Sequence, residues 1–124
     1  MPTAVADMKG CIVTRLVIDD ALGLALCGAN RELTLRIDAA GELRRNGRVH
    51  AFDPDRDPST LAPFIGLLNE RVDEVTLADD GRLDLAIGSA RVTVAPDEHQ
   101  VSWSVASADG ARASCIAEGK VVWE

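Results

Sequence analysis

Apolar and polar residues alternate along most of this chain. Leu22, Leu24 and Leu26 interleave with Gly23, Ala25 and Cys27, and Leu33, Leu35 and Ile37 with Glu32, Thr34 and Arg36. A period of two is the signature of strands with one face buried. The pattern then recurs. Moving residues 13–35 forward by 59 places Val13 on Val72, Leu16 on Val75, Ile18 on Leu77, Leu24 on Leu83, Leu26 on Leu85, Leu33 on Val92 and Leu35 on Val94, without a gap. The turn at Asp20 falls on Asp79-Asp80-Gly81. The sequence therefore predicts two copies of one β-meander, a pseudo-repeat over 11–52 and 70–105.

The segment between the copies breaks the alternation. Asp53-Pro54-Asp55-Arg56-Asp57-Pro58 is unsuited to a central strand, because proline has no ladder donor. Asp57 followed by Pro58 fits an N-cap and a first-turn proline. A helix over about 58–68 is expected, burying Leu61, Ile65 and Leu68 on one face with Phe64 beside them. After the second copy, Val101, Trp103 and Val105 alternate with Ser102 and Ser104. Turns at Asp109-Gly110 and Glu118-Gly119 then define a C-terminal hairpin over 111–124. The prediction is a single β-rich domain over 1–124. It is all-β with one short helix, a duplicated antiparallel meander forming a barrel-like sandwich closed by the hairpin. Closed barrel and two-sheet sandwich fit the pattern about equally. The expected core is Leu16, Ile18, Leu24, Leu26, Leu33, Leu35, Val75, Leu77, Leu83, Leu85, Val92, Val94, Trp103 and Trp123.

Composition narrows the classes. A chain of 124 residues has one domain's length and buries about two-thirds of its unfolded surface. The formal net charge is −7, with eleven arginines but only Lys9 and Lys120 as lysines. That balance disfavours nucleic acid and anionic membranes, both of which recruit cationic side chains. No apolar run approaches the ~20 residues of a membrane span, and Met1–Gly10 lacks a basic start and an apolar h-region. A cytoplasmic setting is expected. Cys11, Cys27 and Cys115 are odd in number and lack metal-ligand spacing, so packed thiols are favoured over a disulfide.

Candidate chemistry is sparse. Asp53, Asp55 and Asp57 imitate the start of a calcium loop, but Pro58 and Phe64 stand where it needs glycine and glutamate. His50 and His99 belong to no metal motif, and no activated nucleophile accompanies them. Ser102 and Ser104, expected on an outward face, lack a nucleophile-elbow context. No catalytic residue, metal site or cofactor is expected. Charge is the remaining pointer. Residues 70–84 are acidic, and Asp73, Glu74, Asp79, Asp80 and Asp84 are the candidate partner-binding residues. Residues 31–48 carry Arg31, Arg36, Arg44, Arg45 and Arg48. Such faces either keep sheet edges from aggregating or steer a partner of opposite charge.

The tail Trp103-Ser-Val105, Asp109-Gly110, Cys115, Gly119 and Val121-Val-Trp123 resembles the closing motif of a family of small bacterial β-rich proteins of unknown function. The paired openings Val13-Thr14-Arg15-Leu16 and Val72-Asp73-Glu74-Val75, and the acidic Asp-Pro segment before Leu61-Ala62-Pro63, resemble it too. Members are similar in size and composition to immunity proteins that neutralise secreted polymorphic toxins. The resemblance implies no catalytic residues. Together with size, acidity and absent chemistry, it points to a non-enzymatic protein-binding module with a basic, toxin-like protein partner; edge strands leave monomer or homodimer as the expected state. The alternatives are a small-ligand-binding β-barrel carrier using Trp103 or Trp123, an uncharacterised structural domain, and an enzyme assembled around His50 or His99.

Overall fold

The apolar spacing Val13, Leu16, Ile18 is three and then two, and so is Val72, Val75, Leu77. A strand keeps all three on one face only if it extrudes one residue as a bulge. A computed structural model, which describes residues 1–124, has that bulge at both places. The register slips between Val13 and Arg15 in one copy and between Val72 and Glu74 in the other.

Eleven strands form two antiparallel sheets. The first meander is β1 (Ile12–Ile18), β2 (Leu22–Gly28) and β3 (Arg31–Ile37); β4 (Gly41–Arg45) and β5 (Arg48–Phe52) make the hairpin that follows. The second meander is β6 (Val72–Leu77), β7 (Leu83–Ile87) and β8 (Ala90–Val94), followed by β9 (Trp103–Ser107), β10 (Arg112–Cys115) and β11 (Val121–Trp123). The sheet orders are β1-β2-β3-β9-β10-β11 and β5-β4-β8-β7-β6. Each copy therefore lends its hairpin to the other copy's sheet. β4 pairs with β8, and β9 pairs with β3. The arrangement is two open sheets facing one another, a sandwich rather than a closed barrel.

The copies meet on an approximate twofold axis. Ile12 bridges Arg71, its own counterpart at an offset of 59. Four main-chain bonds surround that bridge as two equivalent pairs. Val13 N donates to Glu70 O at 2.9 Å and Val72 N to Cys11 O at 2.8 Å. Gly10 N donates to Val72 O at 2.8 Å and Asn69 N to Val13 O at 2.7 Å. Gly10 and Asn69 both take positive φ, 89° and 71°, to enter this junction.

Each copy also begins with a capping segment. A short helix α1 (Thr3–Ala6) lies against β9 and β10, and a 3₁₀ helix (Pro58–Leu67) lies against β5 and β1. The same offset sets Val5 on Phe64 and Met8 on Leu67, and all four are buried. The 3₁₀ helix buries Leu61, Phe64 and Leu67, while Ile65 and Leu68 are exposed. This corrects the expected face of Leu61, Ile65 and Leu68. A 3₁₀ turn aligns residues three apart, not four. Asp57 caps it as expected, accepting from Ser59 N at 3.2 Å. Phe64 meets Phe52 of β5 edge-on at 5.0 Å. No helix is long and apolar enough to cross a membrane.

Twelve of the fourteen expected core residues lie in the interior or pack half-buried against it. Ile18 and Trp123 do not; they are 46% and 64% exposed. Both have inward parity, but Ile18 ends an edge strand and Trp123 lies on the outermost strand, where no opposing sheet covers it. The core adds Val13, Leu22, Ile37, Leu43, Phe52 and Ile87, together with the residues of the two caps.

Candidate functional site

The bulge on β6 decides what its acidic residues do. It extrudes Asp73 and leaves Asp73 and Glu74 exposed side by side on the free edge of the five-stranded sheet. Asp73 Oδ1 stands 3.3 Å from Arg71 Nε. Asp79 and Asp80 form the exposed turn into β7, where Asp80 Oδ1 accepts from Arg82 N at 3.0 Å. Asp84 lies on β7 and is largely covered, its side chain 14% exposed. It accepts from Thr93 Oγ1 at 2.6 Å and from Arg82 Nε at 3.1 Å. The structure thus gathers the five sequence-predicted residues along β6 and β7 and sorts them. Asp84 and Asp80 are engaged in holding the sheet and its turn. Asp73 shares its charge with one arginine. Glu74 and Asp79 make no hydrogen bond or ion pair.

The basic run of residues 31–48 is divided by the chain's crossing between sheets after β3. Arg31 and Arg36 stay on the six-stranded sheet and are neutralised there, Arg31 by Asp7 at 3.5 Å and Arg36 by Asp38 and Asp20 at 3.1 and 3.2 Å. Arg44, Arg45 and Arg48 sit on the β4–β5 hairpin in the five-stranded sheet. Arg91 of β8 joins them directly opposite Arg44, and Arg45 is opposite Arg48. Like charges across strands repel. Arg45 is held by neutral partners, Ser89 Oγ at 3.1 Å and Gly66 O at 3.2 Å, so its charge is not cancelled. Arg44 reaches Glu42 at 3.6 Å; Arg48 and Arg91 form no ion pair. Three of these arginines, Arg44, Arg45 and Arg91, line an open groove of about 460 Å³. Sequence reading missed Arg91, because only the β4–β8 pairing brings it to the hairpin. The five-stranded sheet is consequently polarised. Carboxylates occupy its β6 edge and guanidiniums its β8, β4 and β5 strands, about 10 to 19 Å away at the usual strand spacing.

The other candidates scatter. His50 is half-buried on β5, opposite Leu43. His99 is exposed in the β8–β9 loop with Glu98 at 4.0 Å. Ser102, expected to face outward, is fully buried. The correction has a local cause. Ser102 precedes β9, and its main chain is drawn inward by bonds to Cys115, Asp38 and Ala39. Trp103 is sealed in the core, its Nε1 donating to Gly81 O at 2.9 Å. Trp123 is open and lines two shallow grooves of about 250 and 440 Å³. All three cysteines are free, and burial pushes the Cys11 thiol above its ordinary range. A raised thiol is protonated near neutrality and is a poor nucleophile.

No curated protein and no solved structure matches the chain. The sequence pattern of one family spans it almost completely, over residues 4–124. The chain belongs to that family, DUF6188, a family of unknown function.

Proposed function

We propose that this chain is a non-enzymatic protein-binding module whose acidic β6–β7 edge docks a cationic protein, in the manner of an immunity-type inhibitor covering a toxin's cleft. The observation that supports this reading is the polarised five-stranded sheet. Glu74 and Asp79 stand exposed and uncommitted at one side, with Asp73 and Asp80 beside them. Asp73 adjoins Glu74 and Asp80 adjoins Asp79 in the chain, so within each pair the like charges add inside a Debye length of about 8 Å. Such a surface attracts a basic partner and orients it, since the arginines at the far side of the sheet repel it.

The test is capture from lysate of the native host, using tagged wild type and a Glu74→Lys/Asp79→Lys variant. Neither side chain holds the fold together, so reversal leaves the domain intact. The expected result is one stoichiometric basic protein on the wild type, released at high salt and missing from the variant. Equal capture by both proteins would overturn this mode of binding. A small-ligand carrier is the second reading, and the exposed indole of Trp123 between two grooves favours it. Trp103 takes no part in it, being enclosed.

A further inference from the structure

We infer that the β11 edge is a self-association surface, pairing antiparallel with β11 of a second copy. The sandwich leaves four edge strands, and three carry charge within the strand. These are Arg15 on β1, Arg48 on β5, and Asp73 with Glu74 on β6. Charges of that kind keep edges from pairing. β11 reads Val121-Val122-Trp123 and has none. Its outward parts are apolar and open, with Val122 38% and Trp123 64% exposed.

The free main-chain groups of β11 can be assigned from its pairing with β10. Glu124 and Arg112 exchange both of their bonds, at 3.3 and 3.0 Å. Alternation along an antiparallel ladder then turns Val122 toward β10 as well. The N–H and C=O groups of Val121 and Trp123 therefore point away from the sheet. In an antiparallel ladder, one self-pairing register sets Val121 against Trp123 of the second copy. It places the twofold axis at Val122 and uses all of the outward donors and acceptors of both residues.

The flanking charges select the same register. Lys120 precedes the strand and Glu124 follows it, both exposed and neither ion-paired within the chain. Centring the pair on Val122 sets Lys120 of each copy against Glu124 of the other. Shifting by one pairing step in either direction loses that match. Each indole then faces a valine of the second copy instead of water. The contact is smaller than a standard interface, so the expected dimer is weak and is sought up to millimolar concentration.

The experiment is sedimentation of the full chain from micromolar to millimolar concentration, with tryptophan emission read in parallel. Trp103 is already buried, so any change reports Trp123. Wild type should dimerise with concentration, and its emission should shift to the blue. Lys120→Glu and Glu124→Lys should each weaken the dimer about tenfold, because each sets like charges opposite one another twice. The double variant Lys120→Glu/Glu124→Lys should restore it. A monomer at every concentration would overturn the inference. So would a double variant no better than the singles, since the register requires rescue. Unchanged circular dichroism confirms that each variant is folded. The inference does not rest on the acidic edge, so either surface can fail without the other.

Discussion

Ser102 is the one polar residue among the buried set, and its hydroxyl has no hydrogen-bond partner. Its main chain explains its position. The N–H donates to Cys115 O at 3.0 Å, and the C=O accepts from Asp38 N and Ala39 N. The hydroxyl contributes nothing to those bonds and is desolvated. Leaving such a group unpaired costs about 1–3 kcal/mol. Ser102→Ala is therefore expected to stabilise the protein by about 1 kcal/mol, read as a higher urea midpoint with unchanged slope. A loss of stability on this substitution would mean that the hydroxyl is bonded. At this scale, alternation placed Ser102 outward although it lies just before β9 and is buried, and for the tryptophans it told the side but not the depth. Trp103 and Trp123 share inward parity with neighbouring valines, yet one is enclosed and the other 64% exposed. Depth depends on what covers the strand from the opposing sheet, and local alternation carries no record of that.

The elements separate into those with a local signal and those without one. Both bulges are readable from the spacing of three and then two around Val13 and Val72, since a plain period of two cannot bury all three apolar residues. The connecting helix was readable in place and cap but not in type. Pro63 removes a donor within it, and the tighter winding brings Leu61, Phe64 and Leu67 to one face. This gives a direct contrast. Ile65→Asp, at a site 62% exposed, should change stability by no more than about 0.5 kcal/mol. Leu67→Asp buries an unpaired charge and should leave the protein unfolded. Thermal melts of both variants decide the matter, and a severe loss at Ile65 would restore the α-helical face. The cap α1 had no readable signal. Four residues are too few to show a helical period, and its burial under β9 and β10 follows from tertiary contact alone.

At the scale of the molecule, the duplication was readable but the exchange of hairpins was not. An alternating strand declares a face, not a neighbour. The only trace is that the apolar match at offset 59 stops after Leu35 and Val94, where the chain leaves one sheet for the other. The same crossing explains the charge pattern. The acidic run stayed together because β6 and β7 are consecutive and paired, whereas the basic run was split between sheets after β3. Exchange also sets the charge pattern of the five-stranded sheet. Because β4 pairs with β8, the basic β4–β5 hairpin lies across the same sheet from the acidic edge strand β6. The most direct test of this architecture is to divide the chain in the exposed loop between Asp57 and Pro58. Fragments 1–57 and 58–124 are studied by circular dichroism and sedimentation, apart and mixed. Interlocked copies predict that neither fragment alone shows a cooperative transition, because each meander lacks its outer neighbour and each hairpin its sheet. Mixing them should give a 1:1 complex with β-sheet signal and a single thermal transition. A cooperative transition from either fragment by itself would contradict the exchange, since that copy would then be packing its own hairpin on its own meander.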